Sequence, residues 1–121
     1  MIYQQVTIRK FTETVLKSLA IAPVTAILGP RQCGKTTLVK MLASSNEKFL
    51  LLDLERPADR NLLLDPEAFF DLHSDRIICL DEIQNTPELF SVIRYVVDKN
   101  RKNGSFIVLG SASPDLIRQS S

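Results

Sequence analysis

The sequence predicts an α/β domain in which helices layer against a parallel sheet, and three observations predict it. Four short apolar runs, "VTAIL" (24–28), "KFLLLDL" (48–54), "RIICLDE" (76–82) and "SFIVLG" (105–110), lack the alternation of a half-exposed strand. They read as strands covered on both faces. The segments between them place apolar residues at helical spacing, and strands that alternate with helices in this way are joined by right-handed crossovers.

Residues 9–20 set Phe11, Val15, Leu16 and Leu19 on one face, with Pro23 just beyond, so a first amphipathic helix is expected there. Residues 35–44 repeat the pattern with Leu38, Val39 and Leu42. Residues 55–75 are less regular, and Pro57 and Pro66 divide them into two short helices. A longer helix is expected over 87–101, capped by Thr86, with Pro87 at its first position and Leu89, Phe90, Ile93, Val96 and Val97 on one side. It ends in Lys99, Arg101 and Lys102 ahead of Asn103-Gly104; cations suit a helix C-terminus, and this is a simpler reading than contact with nucleic acid. Ser113-Pro114-Asp115 opens a further helix shortly before the last residue, so the chain reads as part of something longer.

Bulk properties exclude several classes. At 121 residues the chain amounts to one domain, and 45% hydrophobic with 24% charged residues match a soluble globular protein. A net charge of +1 gives no global field that would by itself draw nucleic acid or an anionic membrane. Cys33 and Cys79 show neither CxxC spacing nor a histidine pair, which argues against a metal site or a disulfide framework and favours a reducing, cytoplasmic setting. No apolar run approaches the ~20 residues of a membrane span, and the N-terminus lacks the order of a signal peptide.

The strongest local signal is "GPRQCGKTT". Gly29-x-x-x-x-Gly34-Lys35-Thr36 satisfies the phosphate-loop pattern (Walker A) and lies between an expected strand and an expected helix. By residue frequencies alone this spacing arises in roughly four chains per thousand of this length. Glycines let backbone N–H groups turn inward around phosphate oxygens, aided by the positive end of the helix beginning near Gly34. Lys35 would reach the β and γ phosphates, and the Thr36 hydroxyl would complete a Mg2+ shell. Pro30, Arg31, Gln32 and Cys33 form the loop between the glycines. Arg31 and Gln32 at its tip read as solvated or as substrate contacts, and Cys33 as an inert loop residue or a thiol activated by the helix N-terminus. Thr37 either touches the α phosphate or fills a helix position.

A second motif narrows the chemistry. "RIICLDE" ends in Asp81-Glu82, the form of a Walker B element: Asp81 is delivered to the sheet edge to hold Mg2+, and Glu82 can orient and deprotonate a water. "FIVLGSAS" then offers Ser111 as a sensor of the γ phosphate, with helix capping as the alternative, while Ser113 reads as the cap. No Asn/Thr-Lys-x-Asp element for guanine is present, so ATP is the expected nucleotide. His73 has no partner at useful spacing and reads as a surface or helix-end residue.

Taken in order, "GPRQCGKTTL", "LLDLE", "IICLDEIQNTPELFSVIRYVVDKN" and "FIVLGSASPDLIRQSS" resemble the AAA+ superfamily and, within it, the prokaryotic predicted ATPases of the AAA 14 type. The resemblance runs from about residue 8 onward. It implies a three-layer P-loop NTPase core with a parallel sheet, ATP bound over residues 29–37, Mg2+ at Thr36 and Asp81, catalysis by Glu82 with Lys35, and sensing by Ser111. It further implies strand order 5-1-4-3-2, a helix at 9–20 and a nucleotide-binding core over 24–121, with the chain ending before the fifth strand. The first strand would then be an edge, a liability for aggregation, and any arginine finger of the later segment would be missing. The function implied is Mg2+-ATP hydrolysis coupled to conformational change, slow or absent in these residues alone. A homo-oligomer and a DNA or protein client engaged through a C-terminal domain are compatible with it. The rival readings are a nucleotide switch without turnover and a small-molecule kinase; Glu82 and Ser111 argue against the kinase, which must exclude water.

Overall fold

The four apolar runs form four parallel strands. In the computed structural model, which describes residues 2–29 and 34–111 with side chains from residue 9 onward, they are β1 (Val24–Leu28), β2 (Phe49–Asp53), β3 (Ile77–Asp81) and β4 (Phe106–Gly110). The helices are α1 (Ile2–Ile21), α2 (Lys35–Ser45), α3 (Pro57–Asn61), α4 (Pro66–Leu72) and α5 (Leu89–Asn100), with a 3-10 turn at Ile83–Asn85. The sheet order is β1-β4-β3-β2, that of the expected topology for these four strands, and among the described residues β1 pairs with β4 alone.

Burial on both faces explains why β3 and β4 show no alternation. β1 departs from the expectation, with Ala26 exposed between the buried Thr25 and Ile27 and with Val24 and Leu28 half-buried, because one of its faces is only partly covered. Ile78, Leu80, Phe106 and Val108 enter one apolar cluster with Phe70 of α4 and Leu89, Ile93 and Val96 of α5. Cys79, Ile107 and Leu109 face the other way, against Val15 and Leu19 of α1 and Leu38 and Val39 of α2. Successive side chains of a strand point to opposite faces, so both sides of β3 and β4 must be apolar. Register is pinned by Ile78↔Phe106, Cys79↔Ile107 and Leu80↔Val108.

Element boundaries move for local reasons. Neither glycine nor proline interrupts the chain before Pro23, and α1 runs 20 residues instead of twelve. Pro57 and Pro66 each occupy the first turn of a helix, where a missing N–H costs nothing, so they start α3 and α4. Asp65 caps α4 by accepting from the Ala68 N–H at 3.3 Å. At α5 the expected start at Pro87 is a tight turn, with Leu89 N–H bonded to Thr86 O and Phe90 N–H to Pro87 O, and regular helix begins two residues later. It ends on Arg101 in the left-handed region (φ 50°), ahead of Gly104. The expected helix after Ser113 lies outside the described residues.

The turn at 101–105 locks α1 to the sheet. Gly104 N–H bonds to Ala22 O at 2.9 Å, and both Ser105 and Phe106 N–H groups reach Pro23 O. Asn103 Nδ2 donates to Ala20 O at 3.2 Å, and the Ser18 and Thr25 hydroxyls share a bond of 2.7 Å. Gly104 has φ +69°, and a Cβ there would lie 2.9 Å from the Leu19 carbonyl oxygen. Gly104→Ala is therefore expected to cost about 2 kcal/mol and to lower the melting temperature by roughly 8 °C. A thermal melt within 2 °C of the parent, an approximate threshold on the same scale, would show that the turn does not hold α1 in this way.

Candidate nucleotide-binding site

All four strands run parallel, so their C-terminal ends fall on one edge of the sheet, and the residues singled out by sequence gather there. Gly29, directly after β1, is buried and donates its N–H to Gly110 O at the end of β4. Pro30, Arg31, Gln32 and Cys33 lie outside the described residues. Gly34 stands before α2 with φ 86°, and a Cβ added to it would meet nothing within 4 Å. Glycine is required there by backbone angle rather than by space. Lys35, the first residue of α2, is only 2% exposed, whereas Thr37 is exposed on that helix.

Thr36 closes the gap between the two motifs. Its Oγ1 donates to Asp81 Oδ2 at 3.1 Å, joining the start of α2 to the end of β3 across 45 residues of sequence. Asp81 is 5% exposed, and its second oxygen, Oδ1, is buried with no partner. Glu82, also buried, leaves the strand at φ 59° and ψ 49°, left-handed values that cost a non-glycine residue roughly 1–2 kcal/mol. Its carboxylate accepts from Gln84 Nε2 at 2.5 Å. Ser111 follows β4 directly, and its Oγ is buried without a partner. Since Leu80 pairs with Val108, Asp81-Glu82 and Gly110-Ser111 leave the sheet side by side.

Two residues of the site lie in stretches that carry the family resemblance but were given no role from the sequence. Asp53, the last residue of β2, is in register with Asp81 and accepts from the Glu55 N–H at 3.0 Å. Its signal was the acid ending the apolar run of "LLDLE". Gln84 sits in the 3-10 turn that no periodicity predicts; its signal was the polar residue two places after Glu82.

Burial holds the Asp81 carboxyl above the ordinary aspartate range, and the neighbouring Glu82 and Asp53 charges push it the same way. The hydrogen bonds from Thr36 and from the Glu82 backbone oppose the rise without cancelling it. An acceptor set consisting of a buried, unpartnered carboxylate oxygen beside a hydroxyl fits a hard cation shared with phosphate oxygens. Among the described residues, no group of three or more His, Cys, Asp or Glu side chains could hold a metal by itself.

The opposite end of the sheet is chemically different. A cavity of about 450 Å³ opens there between α4 and α5, with Arg76, Lys99 and Lys102 at its wall. Lys102 Nζ donates to Ser74 O at 2.6 Å, Arg76 Nε to Glu47 O at 3.0 Å, and Lys99 lies 3.6 Å from Asp71. Lys99 and Lys102 of the basic cluster thus have local partners, in line with its helix-end reading. His73 is the C-cap of α4, its ring 4.5 Å from that of Phe69. Cys79 is buried in the core, which pushes its thiol up to about 12 and leaves it inert.

A family model described as an AAA domain, of the AAA 14 type, matches residues 22–121. The chain belongs to that family. Uncharacterized proteins of Mycobacterium bovis and Mycobacterium tuberculosis are each 42% identical to it over 101 residues. The match takes in 84% of this chain and 22% of each relative, so the chain spans about a fifth of the length of those proteins. The P-loop NTPase domain of a sigma-54 transport activator from E. coli superposes with a TM-score of 0.54 at 15% identity, over 93% of this chain and 83% of that one. A DNA replication initiation factor superposes at 0.55, also at 15% identity, over 94% of this chain and 41% of its own. These two likenesses establish the fold; family membership makes the chain an AAA-type, nucleotide-binding P-loop NTPase domain.

The electrostatics of Asp81 give a test. A carboxyl whose native pKa exceeds its unfolded value favours folding when protonated, so its contribution is lost as pH rises from the ordinary aspartate value through the raised native one. Asp81→Asn keeps an acceptor for Thr36 and removes the charge. Without nucleotide, the variant is expected to melt a few degrees above the parent at pH 7, with the gap closing below the ordinary aspartate value. A variant less stable than the parent at pH 7 would overturn this account.

Proposed function

We propose that this domain binds ATP with Mg2+ and hydrolyses its terminal phosphoanhydride bond, and that in the longer protein turnover drives conformational change. The observation that carries the reading is the Thr36–Asp81 hydrogen bond, which sets the residue after Lys35 against a buried aspartate with an unpartnered oxygen. The backbone of residues 29–37 would cradle the phosphates, with Lys35 reaching the β and γ groups. Thr36 and Asp81 would hold Mg2+, whose bound charge offsets that developing on the phosphates. Glu82 would take a proton from water as the oxygen attacks the γ phosphorus; the bond to the bridging oxygen breaks and ADP leaves with its electron pair. Ser111 would sense the γ phosphate from the end of β4.

A homo-oligomer belongs to the same reading, as does a DNA or protein client engaged through a C-terminal domain. A switch without turnover is the second reading, favoured by the left-handed Glu82 and its bond to Gln84, which would hold the carboxylate away from water if they did not rearrange.

Two variants of the full-length protein separate these. Lys35→Ala is expected to weaken ATP binding by roughly tenfold or more, a loss of about 1.4 kcal/mol at least. Glu82→Gln is expected to bind ATP as the parent does while turnover falls by about 10² to 10⁴. Parental turnover by Glu82→Gln would overturn the role of Glu82. Tight binding by a parent that releases no phosphate would favour the switch, and transfer of labelled phosphate to a metabolite would revive the kinase.

A further inference from the structure

We propose that Gln84 is a positioning residue for hydrolysis: its Nε2 holds the Glu82 carboxylate, and its Oε1 receives one O–H of the water that Glu82 deprotonates. The inference rests on the reading of Glu82 as general base and deepens it.

The turn that carries Gln84 is firmly built. Ile83 is fully buried, Asn85 N–H bonds to Glu82 O at 3.0 Å, and Thr86 N–H bonds to Ile83 O at 3.0 Å. The turn lies against β4, whose end carries Ser111. Within it Gln84 is half-buried and donates Nε2 to Glu82 Oε2. An ionised carboxylate accepts hydrogen bonds and donates none, so only the NH2 end of the amide can face Glu82. The orientation of the amide is thereby dictated, and its oxygen becomes the group aimed elsewhere. That oxygen is buried and has no partner.

A buried amide oxygen calls for an O–H or N–H donor. A water lodged between the two side chains has two O–H bonds, one for the Glu82 carboxylate and one for Gln84 Oε1. Held by both, it can turn only a lone pair toward the γ phosphorus, which is the orientation that attack needs. As the proton passes to Glu82, the new P–O bond forms and the bond to the bridging oxygen breaks, with the electron pair leaving on ADP. Gln84 gains and loses no proton. It contributes by orientation, which is why glutamine serves and a charged residue would not. The left-handed backbone of Glu82 brings the carboxylate back toward the residue two places on, so the strained φ and the Gln84 bond belong to one arrangement.

The test uses the full-length protein with Gln84→Ala and Gln84→Glu, the second of nearly the same size but unable, when ionised, to donate to Glu82. Single-turnover release of labelled phosphate is expected to slow about 10²-fold in both, with ATP affinity, KM and the melting temperature close to parental. In the Glu82→Gln background, Gln84→Ala is expected to cause no further slowing, because a positioning residue has nothing left to position. Parental rates for both variants would overturn the inference, as would an equal further loss in the Glu82→Gln background, or a fall in ATP affinity matching the fall in rate. Parental turnover by Glu82→Gln would instead remove the general base, and the role of Gln84 with it. A silent Gln84→Ala beside an inactive Glu82→Gln would overturn the inference alone.

Discussion

A strand covered on both faces can place charge only where it leaves the sheet, and this constraint organises the molecule. Along β3 and β4 the residues Cys79, Leu80, Ile107 and Leu109 are fully buried, and ionised groups there would face desolvation with no compensating partner. The first charges of β3 therefore come at its end, with Asp81 and Glu82. Because every strand of the sheet is parallel, Asp53, Asp81, Glu82 and Ser111 are collected on one edge. Gly29, the first glycine of the phosphate-loop motif, joins them because β1 lies beside β4, with its N–H bonded to the Gly110 carbonyl. In open parallel sheets this carboxyl edge is where ligands bind, and here burial itself drives the polar groups to it.

The same edge is where the fold is least comfortable. Glu82 adopts a left-handed backbone, burial and two like charges hold the Asp81 carboxyl above the ordinary aspartate range, and four buried side-chain oxygens of the described residues, on Asp81, Gln84, Thr86 and Ser111, lack partners. Asp81 ends β3, Gln84 and Thr86 come after it, and Ser111 follows β4. The core behind them is apolar in two continuous clusters, one on each face of the sheet. Strain and unsatisfied groups persist only where the surrounding structure over-determines them, and the paired clusters supply that support. The sequence-level rules for propensity and capping fail at Glu82 because local preference is overridden by the geometry of leaving a buried strand.

Legibility in the sequence follows the same physics. The strands were readable within a residue at each end because each is an apolar run; in β3 and β4 double-sided burial writes that run, whereas β1 leaves Ala26 exposed. The parallel order followed from the helices between them, and the phosphate loop from its fixed spacing. Pro57 and Pro66 were visible as boundaries, and the structure makes them helix starts rather than breaks, since only the first turn tolerates a missing N–H. The 3-10 turn at Ile83–Asn85 was illegible: three residues are too short for any period, and the turn follows from the exit angle of β3. The role of Gln84 was hidden with it, although the residue stands in the stretch that carries the family resemblance. Asp53 was hidden for another reason, because its place beside Asp81 depends on strand register, and a sequence carries register only through the fold.

Charge alone would have drawn attention to the wrong end of the sheet. Arg76, Lys99 and Lys102 surround the cavity between α4 and α5, yet carbonyls and carboxylates already engage them. At the carboxyl edge the unpartnered atoms fall into two kinds. Asp81 Oδ1 and Gln84 Oε1 can only accept, so their complement is a cation or a donated O–H; Thr86 and Ser111 hydroxyls can also donate, and suit an anion. A ligand that brings positive charge, phosphate oxygens and an attacking water to one place answers both kinds together. Mg2+-ATP has that composition, which is why the unpaired atoms support the hydrolytic reading more strongly than the phosphate loop does alone: the loop accounts for holding phosphate, and only the acceptors account for water.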